Sequence, residues 1–565
     1  MNRAIFLRKR AAATAAAKKK ADSAAAAAGS GTGASTMTDS AAASYITNEY
    51  KETVLKHSYL GGKGFTIPKS VLLPVDLEDI KRELTLKPII KGPVAPVEDI
   101  LVPVYRENAS KIYIPRFYAQ KRYGIPSSKI GDGEPMTAET QFRGKLRDYQ
   151  DNIVDIYKTH VSVPAAGGGG GLLSVPCGAG KTVIAIKIAC ELRRKTLIIV
   201  HKEFLLNQWI ERIRDFCGAD TKVGRIQGDT FDVEGKDFVI GMLQTLYARP
   251  YPETAFQCFG LLIIDETHRI CSEQFSRALF RITTKYCLGI SATIARKDGM
   301  ETVLQYFVGD IVYHEERKGD DPVCVRAIEY ISHDPEFNEV EYDFRGNVKY
   351  STMLSKLCDC GQRTEMVVRV IKDLLIENPD QQIMVLSQYK SVLHSLYDYI
   401  THADIAPTGY YVGGMKQKDL TESEGKQIVL STYSMSSEAL DIKSLATLIM
   451  VTPKSDIIQC VGRILRMKHK NPIVVDIVDT HAVFQNQWRG RKQFYKKCNY
   501  RIRYIKSENY KGMDIEWDED DTWKRVYEPI DCAMEGAEAG AAGAARAEKV
   551  EQNKCMIDIS KLKMG

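Results

Sequence analysis

No apolar run in the 565-residue chain approaches the roughly 20 residues needed to cross a bilayer as a helix, so nothing in it points to a membrane protein. Charge of one sign does not dominate either. Lys and Arg number 78 against 72 Asp and Glu, and the net charge of +6 is compatible with a nucleic-acid partner but weak support for one. Cysteine is not arranged for metal. Of 13 cysteines, Cys358 and Cys360 stand closest, and no second Cys/His pair at zinc spacing accompanies them. Reduced thiols in a cytosolic or nuclear protein are preferred. What is present is ordinary for a globular chain, 44% hydrophobic and 27% charged, and long enough for three or four domains.

Residues 1–44 are low in complexity. Alanine tracts, Lys18 to Lys20 and Gly29 to Gly33 cannot build a packed core, so a disordered tail is expected. Arg3, Arg8, Lys9 and Arg10 precede the first acidic residue, Asp22. Three readings compete: an organelle transit peptide, a bipartite nuclear signal using Arg8-Lys9-Arg10 and Lys18-Lys19-Lys20, and a solvated tail, with Met37 opening a more ordinary sequence. The last is favoured. Residues 45–141 combine Pro68, Pro74, Pro88, Pro93, Pro96, Pro103 and Pro115 with short β-like runs such as Ile112 to Ile114. They suggest a small N-terminal accessory domain of mixed or mainly β structure.

From residue 142 short apolar runs alternate with amphipathic helical stretches. The runs are Leu172–Val175, Thr196–Val200, Phe238–Met242, Leu261–Ile264 and Tyr286–Ile290, then, beyond a polar bridge, Ile383–Leu386, Tyr410–Val412, Ile428–Leu430, Leu448–Val451 and Ile473–Val478. Continuous Val/Ile/Leu strands between helices indicate parallel sheets buried on both faces. Two such series indicate two doubly wound α/β domains, expected at 142–325 and 356–500, with a linker at 326–355 and an extension at 501–565. Ligands of such folds sit at the carboxyl ends of the strands.

The chemistry-bearing strings fall at those ends. Pro176-Cys177-Gly178-Ala179-Gly180-Lys181-Thr182 follows a strand and precedes a helical stretch. Gly178, Ala179 and Gly180 let backbone N–H groups turn around phosphate oxygens, and the helix N-terminus favours the anion. Lys181 is placed to reach the β- and γ-phosphates, and Thr182 to ligate Mg²⁺. The first glycine position of the general P-loop pattern holds Val175 instead. Asp265-Glu266-Thr267-His268 follows Leu261 to Ile264. A carboxylate at the end of a buried strand is costly unless paired or metal-bound, so Asp265 is placed to hold Mg²⁺ and Glu266 to activate water. Each string taken alone also fits an ordinary turn. Gln459-Cys460-Val461-Gly462-Arg463-Ile464-Leu465-Arg466 lies in the second domain, with Arg463 and Arg466 on one helix face. Guanidinium groups there suit charge developing in phosphoryl transfer, although a solvated basic helix is the commoner fate of such arginines. Gln150 is a candidate to read adenine, with Phe142 or Tyr149 stacking, and Ser291-Ala292-Thr293 to couple the nucleotide to the second domain.

These strings, in this order over roughly 142–480, resemble the superfamily 2 helicases. The resemblance implies two tandem RecA-like doubly wound parallel-sheet domains with ATP and Mg²⁺ in the cleft between them. It makes Lys181, Asp265, Glu266, Gln459, Arg463 and Arg466 catalytic, and assigns Arg147, Gln150 and Asp441 to the nucleotide. Leu-Arg-x-Tyr-Gln at 146–150, the P-loop and the run His201 to Trp209 are most similar to the XPB/Ssl2 branch, and in particular to transcription helicases of large DNA viruses, the poxvirus transcript-release type among them. Arg296-Lys297-Asp298 carries lysine where that branch has glutamate, and Glu438-Ala439-Leu440-Asp441 carries alanine where the superfamily usually has glycine. The resemblance further implies one nucleic-acid strand, DNA ahead of RNA, lying across both domains near Lys202, Gln244, Thr245, Gln388 and Thr432, in transcription, repair or replication. Its contacts would be mainly to phosphates. A P-loop metabolic kinase would have no need of the second domain, and a non-catalytic scaffold no need of intact Lys181 and Glu266.

Two basic-aromatic stretches stand apart from these motifs. Lys111, Tyr113, Arg116, Phe117, Tyr118, Lys121 and Arg122 form one; Arg489 to Lys506, with Phe494, Tyr495, Tyr500 and Tyr504, forms the other. Each reads either as a surface that stacks bases or as a core-facing aromatic stripe with a charged outer face. The acidic run Asp514 to Asp521 reads as a solvated loop.

Overall fold

The computed structural model describes residues 45–86, 101–126, 130–162, 169–176, 178–252, 254–266, 273–292, 301–315, 322–438, 442, 444–465, 469, 471–512 and 522–530. The N-terminal tail, the acidic run at 514–521 and residues 531–565 lie outside them.

The N-terminal segment forms two antiparallel sheets. Strands β1 (Tyr59–Gly61), β2 (Gly64–Pro68), β5 (Arg106–Glu107) and β6 (Lys111–Ile114) make one, in the order β1-β2-β6-β5, while β3 (Thr85–Leu86) pairs with β4 (Val102–Pro103). Alternation puts Phe65, Ile67, Ile112 and Ile114 on one face, and helices Asn48–His57, Pro74–Glu83 and Arg116–Tyr123 cover it with Val54, Ile80 and Tyr118. Asp76, fully buried, accepts from Arg122 Nε at 2.9 Å and from the hydroxyls of Tyr50 and Tyr123.

The next eight strands are β7 (Gly170–Ser174), β8 (Thr196–Val200), β9 (Val223–Gln227), β10 (Thr230–Phe231), β11 (Phe238–Met242), β12 (Leu261–Asp265), β13 (Tyr286–Ser291) and β14 (Ile311–His314). They form one sheet in the order β10-β9-β11-β8-β12-β13-β7-β14, parallel except for β10. β7, β8 and β12 are buried along their whole length, as apolar runs covered on both faces require.

A second sheet holds β15 (Cys324–Tyr330), β16 (Gln382–Ser387), β17 (Thr408–Tyr411), β18 (Ile428–Thr432), β19 (Leu445–Met450), β20 (Ile473–Asp479), β21 (Arg501–Lys506) and β22 (Lys524–Tyr527). Its order is β17-β18-β16-β19-β20-β15-β21-β22, parallel except for β22. Two doubly wound parallel-sheet domains therefore follow a small antiparallel one.

Two segments differ from the sequence reading. The expected linker at 326–355 begins inside the second sheet, where β15 runs between β20 and β21 in register from Cys324↔Ile473 to Tyr330↔Asp479. Arg326 made this strand read as polar; it is buried and held by both oxygens of Glu377. The expected extension from 501 likewise supplies β21 and β22, with Arg503 bonded to Glu528.

A buried ion pair fixes the carboxyl end of β20. Arg363, on helix Gly361–Glu377, donates from Nε to Asp479 Oδ1 at 2.8 Å and from a terminal nitrogen to Oδ2 at 2.9 Å, and both residues are fully buried. Truncating one partner strands the other's charge without water. Arg363→Ala is expected to destabilise the second domain by roughly 3–5 kcal/mol. An unchanged denaturation midpoint would show that Asp479 does not depend on this pair.

Candidate active site

Three neighbouring strands deliver the site. β13 lies between β7 and β12, so the P-loop after β7, Ser291 at the end of β13, and Asp265 at the end of β12 line one edge of the sheet. Val175 N–H donates to Ser291 O at 3.0 Å, which pins the loop's start. Gly178 and Gly180 have φ of 82° and 84°, the left-handed region that favours glycine. A side chain on Gly180 would meet Gln150 Nε2 at 2.4 Å. The loop ends on helix Lys181–Leu192, whose first-turn N–H groups have no intrahelical partner and suit an anion. Cys177 lies outside the described residues.

Lys181 Nζ meets Glu266 Oε1 at 3.0 Å, both half-buried. Glu266 adopts φ 49°, a strained conformation for a residue with a Cβ. Its own N–H donates to Asp265 Oδ1 at 2.9 Å. Asp265 Oδ2 accepts from Trp209 Nε1 at 2.9 Å. Burial, and then the Glu266 charge beside it, push the Asp265 carboxyl up to about 6, while Lys181, Trp209 and the Glu266 N–H pull the other way. A buried carboxylate so incompletely compensated suits a cation, and Thr182 supplies a hydroxyl on the same edge. These hard oxygen donors fit Mg²⁺.

Trp209 was missed as a site residue. It lies on helix Glu203–Cys217, 56 positions from Asp265, and reads as an apolar core residue. Only its indole N–H separates it from Phe in this role. Trp209→Phe is expected to require about tenfold more Mg²⁺ for half-maximal ATPase. Because the N–H bond holds the Asp265 carboxyl down, its loss should also move the acid limb of the rate profile to higher pH. An identical Mg²⁺ titration and pH profile would remove Trp209 from the site.

Gln150 and Tyr149 face the P-loop directly. Gln150 Nε2 donates to Ala179 O at 2.9 Å, Tyr149 hydroxyl donates to the same oxygen at 3.0 Å, and Gln150 Oε1 accepts from Arg147 N–H at 3.0 Å. Phe142 is engaged elsewhere, stacked on Phe216 at 5.7 Å with Lys187 5.3 Å from its centroid, which leaves Tyr149 as the nearer aromatic to the loop.

The second domain carries Gln459 on helix Ile458–Val461 and Arg463 on the 3-10 turn Gly462–Leu465. Cys460, Val461, Ile464 and Leu465 are buried and anchor the segment, leaving Gln459 and Arg463 half-exposed. Arg466, Asp441, Ala439, Leu440, Thr267, His268, Thr293 and Arg296 to Asp298 lie outside the described residues.

The expected nucleic-acid residues fall into two groups at strand ends. Lys202 follows β8, and exposed Gln244, after β11, donates to His201 O at 2.8 Å; beside it Thr245 Oγ1 accepts from Gly228 N–H at 3.1 Å. Gln388 follows β16, its N–H donating to Thr452 Oγ1 at 2.7 Å, and Thr432 ends β18 alongside, 8% exposed.

The basic-aromatic stretches resolve mostly as core. Phe117, Tyr118, Tyr495 and Tyr500 are buried. Arg116 donates to the carbonyls of Thr284 at 2.8 Å and Lys285 at 3.2 Å, tying the N-terminal domain to the first large one, and its burial pushes it down to about 10. Arg491 is buried against Asp476 at 2.8 Å. Lys111 and Tyr113 alone of the first stretch share the sheet's other face.

Among the described residues no helix is long and apolar enough to cross a membrane. Residues 143–296 match the family model "Type III restriction enzyme, res subunit", and 366–468 match "Helicase conserved C-terminal domain". The chain is 34% identical over 482 residues to "Putative ATP-dependent RNA helicase L396" of Acanthamoeba polyphaga mimivirus, covering 83% of this chain and 91% of that one. It is 27% identical to "Putative helicase 161L" of Invertebrate iridescent virus 6, covering 75% and 95%. Among solved structures, S. cerevisiae Dbp5 bound to RNA and ADP BeF3 aligns with a TM-score of 0.46 at 11% identity, over 65% of this chain and 91% of that one. With both helicase halves matched in order, and a viral relative at this identity over most of its length, the chain belongs to the superfamily 2 helicases, ATP-dependent enzymes that hydrolyse ATP.

Proposed function

We propose that the chain is a nucleic-acid-stimulated ATPase that moves along one strand, with DNA as its substrate, in the transcription, repair or replication of a large DNA virus. The observation that carries the motor reading is the Lys181–Glu266 contact of 3.0 Å beside buried Asp265. In this reading the entering phosphates take the Lys181 ammonium away from Glu266. The freed carboxylate then orients water and accepts its proton. Gln150 and Tyr149 hold the loop's Ala179 carbonyl, so occupancy near Arg147 and Gln150 is felt by the loop itself. Thr182 and Asp265 would hold Mg²⁺, which supplies charge neutralisation at the phosphates. Gln459, Arg463 and Arg466 complete the site from the second domain, so that hydrolysis depends on how the two domains meet.

Preference for DNA rests on the likeness of 146–150, 176–182 and 201–209 to the XPB/Ssl2 branch and to viral transcription helicases. RNA is the second reading, favoured by the name of the mimivirus relative. ATPase stimulation measured across single- and double-stranded DNA and RNA, followed by unwinding of the best stimulant, separates them. Stimulation by RNA alone overturns the DNA assignment, and no stimulation by any of the four overturns the motor.

A further inference from the structure

The face of the N-terminal sheet turned away from its helices carries a cross-strand row. Tyr59 of β1 pairs with Thr66 of β2, Thr66 with Tyr113 of β6, and Tyr113 with Arg106 of β5, so all four side chains share that face. Lys111 joins them through its register with Pro68, and Gly61 and Gly64 pair beside the row, where the Phe280 ring of the first large domain packs over Gly64. Tyr59 is 39% exposed, and Thr66, at 1%, lies at the floor between the two tyrosines. Cations border both rings. Lys111 Nζ sits 5.4 Å from the Tyr59 centroid, and Lys63 Nζ 5.8 Å from that of Tyr113. None of these outward residues carries a carboxylate; Glu107, on the strand's opposite side, is paired with Lys69 and Lys81.

The sheet abuts the first large domain both at Arg106 of β5 and at Gly61 of β1. Arg106 lies 5.2 Å from the Phe280 ring and donates to Arg277 O at 3.1 Å, while Thr283 Oγ1 donates to Gly61 O at 2.7 Å. The sheet is thus fixed to the segment that follows β12, with Tyr59 left 39% exposed.

We propose that this face is a second nucleic-acid site, on which Tyr59 and Tyr113 stack unpaired bases of a single strand while Lys63 and Lys111 hold its phosphates. Two half-exposed aromatics across a sheet, bordered by cations and with no carboxylate among the outward residues named, match the chemistry of single strands, whose bases offer π-faces whatever their sequence. A protein partner would more naturally meet an apolar patch than two phenols beside lysines. The proposal rests on the helicase reading above and extends it to a holding site outside the two motor domains.

The test uses the full chain without ATP and fluorescein-labelled oligo(dT) and oligo(U), read by anisotropy. Tyr59→Ala with Tyr113→Ala should weaken binding about tenfold or more, and Tyr59→Phe with Tyr113→Phe should bind as the parent does, since the rings remain. Lys63→Ala and Lys111→Ala should each flatten the slope of log affinity against log salt by about 0.7. Oligonucleotides bearing 4-thiothymidine should cross-link to β1 or β6. ATPase in the absence of nucleic acid should not change in any of these variants. Parent-like affinity in the alanine pair, parent-like salt slopes and cross-links confined to the motor domains overturn the site while leaving the helicase reading intact. If the alanine pair does not fold, the lysine slopes and the cross-linking of the parent decide. A parent chain that binds neither oligonucleotide overturns the proposal together with the reading beneath it.

Discussion

Glu266→Gln is expected to lower nucleic-acid-stimulated ATP turnover by about 10²–10⁴-fold while nucleotide and nucleic-acid binding persist. The substitution keeps the size of the side chain and its position after β12. It removes the proton acceptor, and it weakens the 3.0 Å contact with Lys181 from an ion pair to a hydrogen bond between an ammonium and an uncharged amide oxygen. A Lys181 less firmly held by residue 266 is, if anything, more available to phosphate, so ATP affinity should hold or rise. Lys181→Ala separates the two roles: it removes the group proposed to grip phosphate, and both turnover and nucleotide affinity should fall. It also leaves Glu266 and buried Asp265 without their nearest cation. Turnover in a coupled assay, with binding of a fluorescent ATP analogue measured alongside, gives both quantities. Unchanged turnover in the two variants would sink the assignment of this site.

The legible parts of the site were those in which chemistry is contiguous in sequence. Gly178 to Thr182 and Asp265-Glu266 each pack a strand end, a turn and functional groups into a few residues, and the apolar strands before them identify the fold. Trp209 was illegible because its partner lies at the end of β12, 56 positions away, and nothing local distinguishes an indole that donates to Asp265 from one that fills the core. The stacking of Phe142 on Phe216 was illegible for a related reason: it brings together residues 74 positions apart (216 minus 142). β15 was hidden by Arg326, whose charge signals solvent until Glu377, 51 positions later, is seen to neutralise it. The stretch from Lys111 to Arg122 defeated a single reading because it contains two elements. A strand with one open face, carrying Lys111 and Tyr113, gives way after Pro115 to a helix that buries Phe117 and Tyr118. Composition averages over that boundary; only periodicity of two changing to periodicity of three to four marks it.

Arg463→Ala is expected to cost about 10³–10⁵-fold in kcat, the largest effect of any substitution considered for this chain, with ATP binding little changed. Its setting distinguishes it from other arginines of the second domain. Arg363 and Arg491 are buried, each held by two carboxylate oxygens, and their loss should appear as lost stability. Arg463 is half-exposed on a short segment whose neighbours Cys460, Val461, Ile464 and Leu465 are in the core. The fold thus fixes the backbone of residue 463 through its buried neighbours while the residue itself stays half-exposed, as the proposed reach to the nucleotide requires. Because a planar fork and a point charge are not equivalent, Arg463→Lys should recover only a small part of the loss. Paired measurements of kcat and of the denaturation midpoint make the distinction. A variant at 463 that melts as the parent does but scarcely turns over places the guanidinium in the reaction. One that retains parent kcat would mean that the second domain does not complete the site, and that hydrolysis belongs to Lys181, Asp265 and Glu266 alone.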